Sequence, residues 1–141
     1  MMAHWLLKSE PETWSWEQQV KRGDKGEPWS GVRNYQARLN IRAMKKGERG
    51  FFYHSGGEKA IVGIVEIIRE AYPDHTAEKG DWSMVDVIAV ESLKTPVTLS
   101  DAKTVPLLSK MVLVNNTRLS VQPVSDAEWL QICKMGGVNA K

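Results

Sequence analysis

Gly50-Phe51-Phe52-Tyr53-His54-Ser55-Gly56-Gly57-Glu58-Lys59-Ala60-Ile61-Val62-Gly63-Ile64-Val65-Glu66-Ile67-Ile68 is the stretch that decides the fold. Gly50–His54 is rich in aromatics and reads as a strand, and Ser55–Glu58, with its paired glycines, reads as a hairpin turn. Ala60–Ile68 is almost wholly apolar and β-branched. That is the pattern of a strand buried on both faces or wrapped into a barrel, not of one with a wet side. Gly63 within it signals a bend or a close backbone approach. Further strands are expected at Val85–Val90 and Leu119–Gln122, whereas the short apolar run His4–Leu7 is stopped by Lys8-Ser9-Glu10-Pro11, and the proline argues against an ordinary central strand there. Ser15 and Gln18 form a capping box for a helix over Trp16–Lys21, which Gly23 stops. Gln36–Lys46 predicts a second helix, because Ala37, Ile41 and Met44 recur on one face, and Gly47 stands at its end. Ser125-Asp126-Ala127-Glu128 opens a third, which carries Trp129, Ile132 and Cys133 on one side and has Gly136 past its end. Hairpin-ordered strands with helices in the gaps predict an α+β fold, a mixed β-barrel with short helices packed around it.

At 141 residues, with 42% hydrophobic and 26% charged side chains, the chain reads as one globular domain over residues 4–134, followed by a frayed tail at 135–141. Cys133 is the only cysteine, which excludes an internal disulfide and a multi-cysteine zinc site and marks a small core residue. No run approaches the ~18 apolar residues of a membrane span. The first residues lack a basic region leading into an apolar core, so a cytoplasmic protein is expected. The net charge is only +2, yet Arg33–Arg49 holds six basic residues and one acid, which leaves the remainder at −3.

Signals for catalysis are weak. His4, His54 and His75 lack metal-ligand spacing, no nucleophile elbow or phosphate loop occurs, and no cofactor is implied. Lys8 and Glu10 would make an acid/base pair only if two neighbouring strand-end side chains converged. Arg38, Arg42 and Lys45 repeat at helical spacing. Such a stripe is either a solvated face or a phosphate-tracking surface, and the charge asymmetry favours the second. Six tryptophans against two phenylalanines is unusual. Trp29, between Pro28 and Ser30-Gly31, is either a plug over one end of the barrel or a stacking platform for a base. Trp5, Trp82 and Trp129 fall in periodic apolar segments and are assigned to the core, Trp14 and Trp16 to a lid.

Trp5-Leu6-Leu7-Lys8-Ser9-Glu10-Pro11, Trp29-Ser30-Gly31-Val32-Arg33-Asn34-Tyr35-Gln36-Ala37 and Arg42-Ala43-Met44-Lys45-Lys46-Gly47 resemble, in order, the EVE domain family of the PUA-like superfamily, relatives of YTH domains. Phe51–Ser55, Ile61-Val62-Gly63 and Arg118–Val124 continue the resemblance, which covers residues 4–134. It implies a PUA-like barrel whose pocket takes a modified base, a modified cytosine such as 5-methylcytosine, in DNA or RNA. The lack of a long basic extension resembles the single-domain bacterial members. Asn115-Asn116 stand where the family often has an arginine.

The expected mechanism is non-catalytic. Lys8, Arg33, Arg38, Arg42, Lys45 and Arg118 would hold phosphates and set register. Trp29 and Tyr53 would wall the base pocket, with Asn34, Ser9 and Ser55 at the base's hydrogen-bonding edge. The partner would be nucleic acid, with no metal and no membrane, and the protein a monomer. Two rivals remain: an ASCH-like hydrolase or ribonuclease using Lys8, Glu10 or His54, and a small-metabolite or protein-interaction module on the same barrel.

Overall fold

In the computed structural model, which describes residues 2–140, the deciding stretch forms β3 (Arg49–His54) and β4 (Ala60–Pro73), paired antiparallel. β4 then pairs antiparallel with β5 (Ser83–Thr98) through several register shifts, which bend the long hairpin. β1 (His4–Ser9) lies parallel to β3 on one side and antiparallel to β6 (Val121–Val124) on the other, and the two-residue β2 (Glu27–Pro28) edges β5. One mixed sheet results, ordered β2-β5-β4-β3-β1-β6. β1 is thus an interior strand. This corrects the expectation drawn from Pro11: the strand ends at Ser9, two residues before the proline, so no ladder hydrogen bond is lost to it.

Both faces of the sheet are apolar, as the unbroken run in β4 demands. Trp5, Leu7, Phe52, Val65, Val85 and Val121 point to one cluster, which is covered by α1 (Trp16–Arg22) and α2 (Tyr35–Ala43). Their neighbours Leu6, Phe51, Tyr53, Ile64 and Val124 point to the other, which is covered by α3 (Leu99–Thr104), α4 (Val112–Asn115) and α5 (Asp126–Gly136). Gly63 is where the first layer comes closest. A Cβ there would lie 2.3 Å from the Trp16 ring, so only glycine lets α1 dock.

Capping boxes at Ser15/Gln18 and Ser125/Glu128 start α1 and α5 as the sequence predicts, and Gly23 caps the end of α1. Three expectations need correction. α2 stops at Ala43, short of Gly47. Met44 turns extended to bury its side chain, and the Lys45 amide donates to the buried Glu48 carboxylate at 2.7 Å. Gly136 is still helical, and Gly137 in the left-handed region makes the cap. The tail is not frayed where it is described: the Val138 amide donates to the Cys133 carbonyl at 3.0 Å, and Val138 and Ala140 pack on the second cluster. Lys141, also assigned to that tail, lies outside the described residues.

Candidate nucleic-acid interface

Where β1 ends and β2 begins, the chain leaves a cavity of about 350 Å³ lined by Lys8, Ser9, Glu10, Thr13, Trp14, Glu27, Pro28, Trp29 and Ser30. This is within the lower range of small-molecule pockets. The Trp29 amide donates to the Val85 carbonyl at 2.7 Å, and its ring meets Phe52 edge to face at 5.4 Å. Only 7% of Trp29 is exposed, so it is both a core residue and a cavity wall. Packing in the core and lining the cavity therefore coexist in this one side chain. Its indole N–H has no partner among the described residues, whereas those of Trp5, Trp14 and Trp16 bond Glu48, Gln19 and Ser92.

Trp14 is the second aromatic of the cavity, where the sequence assigned only a lid. Its indole donates to the fully buried Gln19 at 2.9 Å, and its carbonyl accepts from the Ser9 hydroxyl. Trp16, given to the same lid, is instead a core residue. Nothing in the local sequence separates the two tryptophans except that Trp14 precedes the helix cap, outside the amphipathic period.

The expected second wall, Tyr53, is elsewhere. It follows Phe52 on β3, so pleating sends it to the opposite face, where it is 2% exposed among the second cluster. Burial pushes its hydroxyl pKa up. Lys8, its register partner, lines the cavity yet carries its ammonium to the Tyr53 side. There it donates to the Thr117 carbonyl at 2.8 Å and sits 5.7 Å from the Tyr53 ring centroid. Burial, and then Lys59 nearby, lower its pKa. Arg118 is exposed in that same loop.

Asn34 is committed differently from the expectation. Its side-chain oxygen accepts the Ala37 amide at 2.9 Å and caps α2. Ser55 does not line the cavity, and its amide donates to the Ser9 carbonyl. His54 is the acceptor for the Trp16 amide at 3.1 Å, with its pKa lowered by burial and partly restored by Glu17. No ion pair joins Lys8 and Glu10 among the described residues, and the His54 ring is engaged by the Trp16 amide. No group of three metal-ligating side chains occurs among the described residues, and no helix there is long and apolar enough to cross a membrane.

The basic residues divide. Arg38 and Arg42 share a face of α2, but Lys45 falls beyond the helix end and leaves the stripe. Arg42 bonds Ser83 and pairs with Asp81, and Arg38 donates to the Asp81 carbonyl. Arg33 pairs at 3.0 Å with Asp74, a buried carboxylate the sequence did not single out. Asp74 also accepts from the Gly31 amide and from both the amide and hydroxyl of Thr76. Burial acts to raise its pKa, but those hydrogen bonds outweigh it and hold the carboxyl down at about 2. It bolts the segment after Trp29 to the β4–β5 loop. Trp82, assigned to the core, is instead half-buried in that loop. Its carbonyl accepts the Asp74 amide, closing the neck of the loop, and its ring stacks on the exposed Tyr35.

Fold and site together define a PUA-like α+β domain with a tryptophan-walled cavity beside an arginine-bearing helix. The chain belongs to the EVE domain family, whose profile matches residues 3–135. It is 42% identical over 158 aligned residues to thymocyte nuclear protein 1 of Gallus gallus, covering 89% of this chain and 65% of that protein, less than two thirds of its length. A protein from Agrobacterium tumefaciens superposes with a TM-score of 0.94 at 53% identity, covering 96% of this chain and 94% of the other. Human thymocyte nuclear protein 1 in complex with DNA containing 5-methylcytosine superposes with a TM-score of 0.89 at 37% identity, covering 97% of this chain and 99% of that one.

Proposed function

We propose that this protein binds nucleic acid without cleaving it and seats one modified pyrimidine, of the 5-methylcytosine class, in the cavity between Trp14 and Trp29. The observation that carries the reading is Trp29, fixed by Val85 and Phe52, with a free indole N–H at a cavity large enough for one base. The similarity to a human protein solved with DNA containing 5-methylcytosine supports it. Taking a base out of its stack costs a few kcal/mol, least from a single strand or mismatch. Stacking on an aromatic wall returns about 1–3 kcal/mol, and contacts of Arg33, Arg38 and Arg42 to phosphates make up the rest.

Base identity is then set by the carboxylates. Glu10 and Glu27 both line the cavity, and carboxylates accept from the exocyclic amine of cytosine. Thymine carries the same 5-methyl group but presents a carbonyl at that position. The mismatch loses that hydrogen bond. Because Glu10 is exposed and Glu27 is half-buried and paired with Arg22 at 3.5 Å, the cost is about 1 kcal/mol, the low end of the range for an unpaired polar group. The methyl group adds about 0.8 kcal/mol, close to fourfold in affinity. Titrating single-stranded oligonucleotides that differ only at one position should rank 5-methylcytosine above both cytosine and thymine. Equal affinity for 5-methylcytosine and thymine would overturn this reading of the cavity.

A further inference from the structure

We infer that Tyr35 and Trp82 form a second stacking platform, which holds an unpaired base flanking the one in the cavity. Tyr35, the first residue of α2, is 70% exposed, and its hydroxyl has no partner among the described residues. Its ring is nonetheless held in place. It lies 5.4 Å from the Trp82 ring at an interplanar angle of 23°, and the Arg38 guanidinium stands 5.0 Å from the Tyr35 centroid and 5.1 Å from that of Trp82. Arg33 stands 5.8 Å from the Trp82 centroid. Gly80 completes the seat: a Cβ there would lie 2.8 Å from the Trp82 indole nitrogen. Loop, helix and arginines thus fix an aromatic face that the core does not use.

The chemistry around the pair suits a nucleotide. Arg38 has no carboxylate partner among the described residues, and its buried Nε bonds nothing. Its plane is held by the two rings, which leaves its charge for a phosphate. A base offers the flat π-face such a platform accepts, and stacking tolerates any of the four bases. Tyr35 is six residues from Trp29, a reach of at most about 20 Å of extended chain. That spans no more than about six stacked nucleotides at ~3.4 Å per step. The Asp74 bolt fixes the intervening segment, so the distance between platform and cavity is set before binding.

This inference rests on the cavity reading, and the test separates the two. Affinities are measured for a single-stranded oligonucleotide carrying one 5-methylcytosine, and for a series in which each flanking base in turn is replaced by an abasic site. One flanking position is expected to weaken binding to the wild-type protein by roughly 5- to 150-fold, the worth of one stack. Tyr35→Ala should show the same loss on the intact oligonucleotide and no further loss at that abasic position, whereas Tyr35→Phe should bind like wild type. A flat abasic profile, or one that Tyr35→Ala leaves unchanged, overturns the platform. So does a change in oligomeric state caused by Tyr35→Ala, which would make Tyr35 a protein contact. If Tyr35→Ala behaves as expected but 5-methylcytosine and thymine bind alike, the cavity reading fails and the platform stands.

Discussion

Replacing Asp74 by asparagine removes the charge at the junction between the cavity and the basic face. The carboxylate accepts four hydrogen bonds, two at each oxygen: the Gly31 amide and Arg33 at one, the Thr76 amide and hydroxyl at the other. Asparagine keeps one acceptor oxygen and turns an NH2 group toward the second pair of donors, and a buried unpaired group costs about 1–3 kcal/mol. An independent measure comes from the carboxyl, held at about 2 against its ordinary 3.8. At about 1.4 kcal/mol per pH unit, that preference for the ionised form stabilises the fold by about 2 kcal/mol at neutral pH. Part of the Arg33 share is screened, since that side chain is partly exposed. The two measures overlap, so Asp74→Asn should lose about 2–4 kcal/mol. For a domain of this size, that lowers the melting temperature by about 6–12 °C. Because the folded pKa is depressed, this stability is present above pH 3.8 and is lost as pH falls through about 2. The gap between wild type and variant should therefore narrow in acid. Denaturant melts at about pH 7, 5 and 3 read both quantities. A variant within about 0.5 kcal/mol of wild type at pH 7, or a gap constant with pH, would refute the bolt.

His54 supplies a second pH dependence. Its pKa is lowered on folding, so its stabilising effect is complete above 6.5 and declines as pH falls toward the folded value, where the charged ring no longer accepts the Trp16 amide. His54→Gln keeps an acceptor without a titration, and its stability should vary less than that of wild type between about pH 7 and 5 in thermal melts. The double variant Arg38→Ala/Arg42→Ala should weaken binding to methylated and plain oligonucleotides alike. It should also reduce the slope of log K against log salt by about one to two units. An unchanged slope would show α2 to be a solvated face.

Most of the architecture was legible because it depends on local signals. The apolar run of Ala60–Ile68 announced a strand with two dry faces, and Ser15/Gln18 and Ser125/Glu128 announced two helices. Gly63 announced a bend or a close backbone approach, and what lies against it is the Trp16 ring. Errors came where tertiary partners overrule the period. Met44 and Glu48 pull the chain out of helix before Lys45, and a one-residue step along β3 sends Tyr53 to the face opposite Phe52. The sequence assigns Trp82 to the core with the apolar run that follows it, but it stands between Asp81 and Ser83 and the Asp74 neck turns it outward. The cavity was half legible. Trp29 and Ser9 were named, but Trp14, Glu10 and Glu27 join them through a turn and an edge strand whose meeting no spacing encodes.

A base against Trp29 can be detected in the unmutated protein. The six indole N–H resonances of a 15N-labelled sample can be followed while an oligonucleotide carrying one 5-methylcytosine is added, with Trp29 assigned from a Trp29→Phe sample. The Trp29 signal should move with the binding isotherm, through the ring current of the stacked base and the capture of its free N–H. Trp5, bonded to buried Glu48, and Trp129, in the second core cluster, should stay in place. Saturable binding with the Trp29 resonance unmoved would show that no base stacks there.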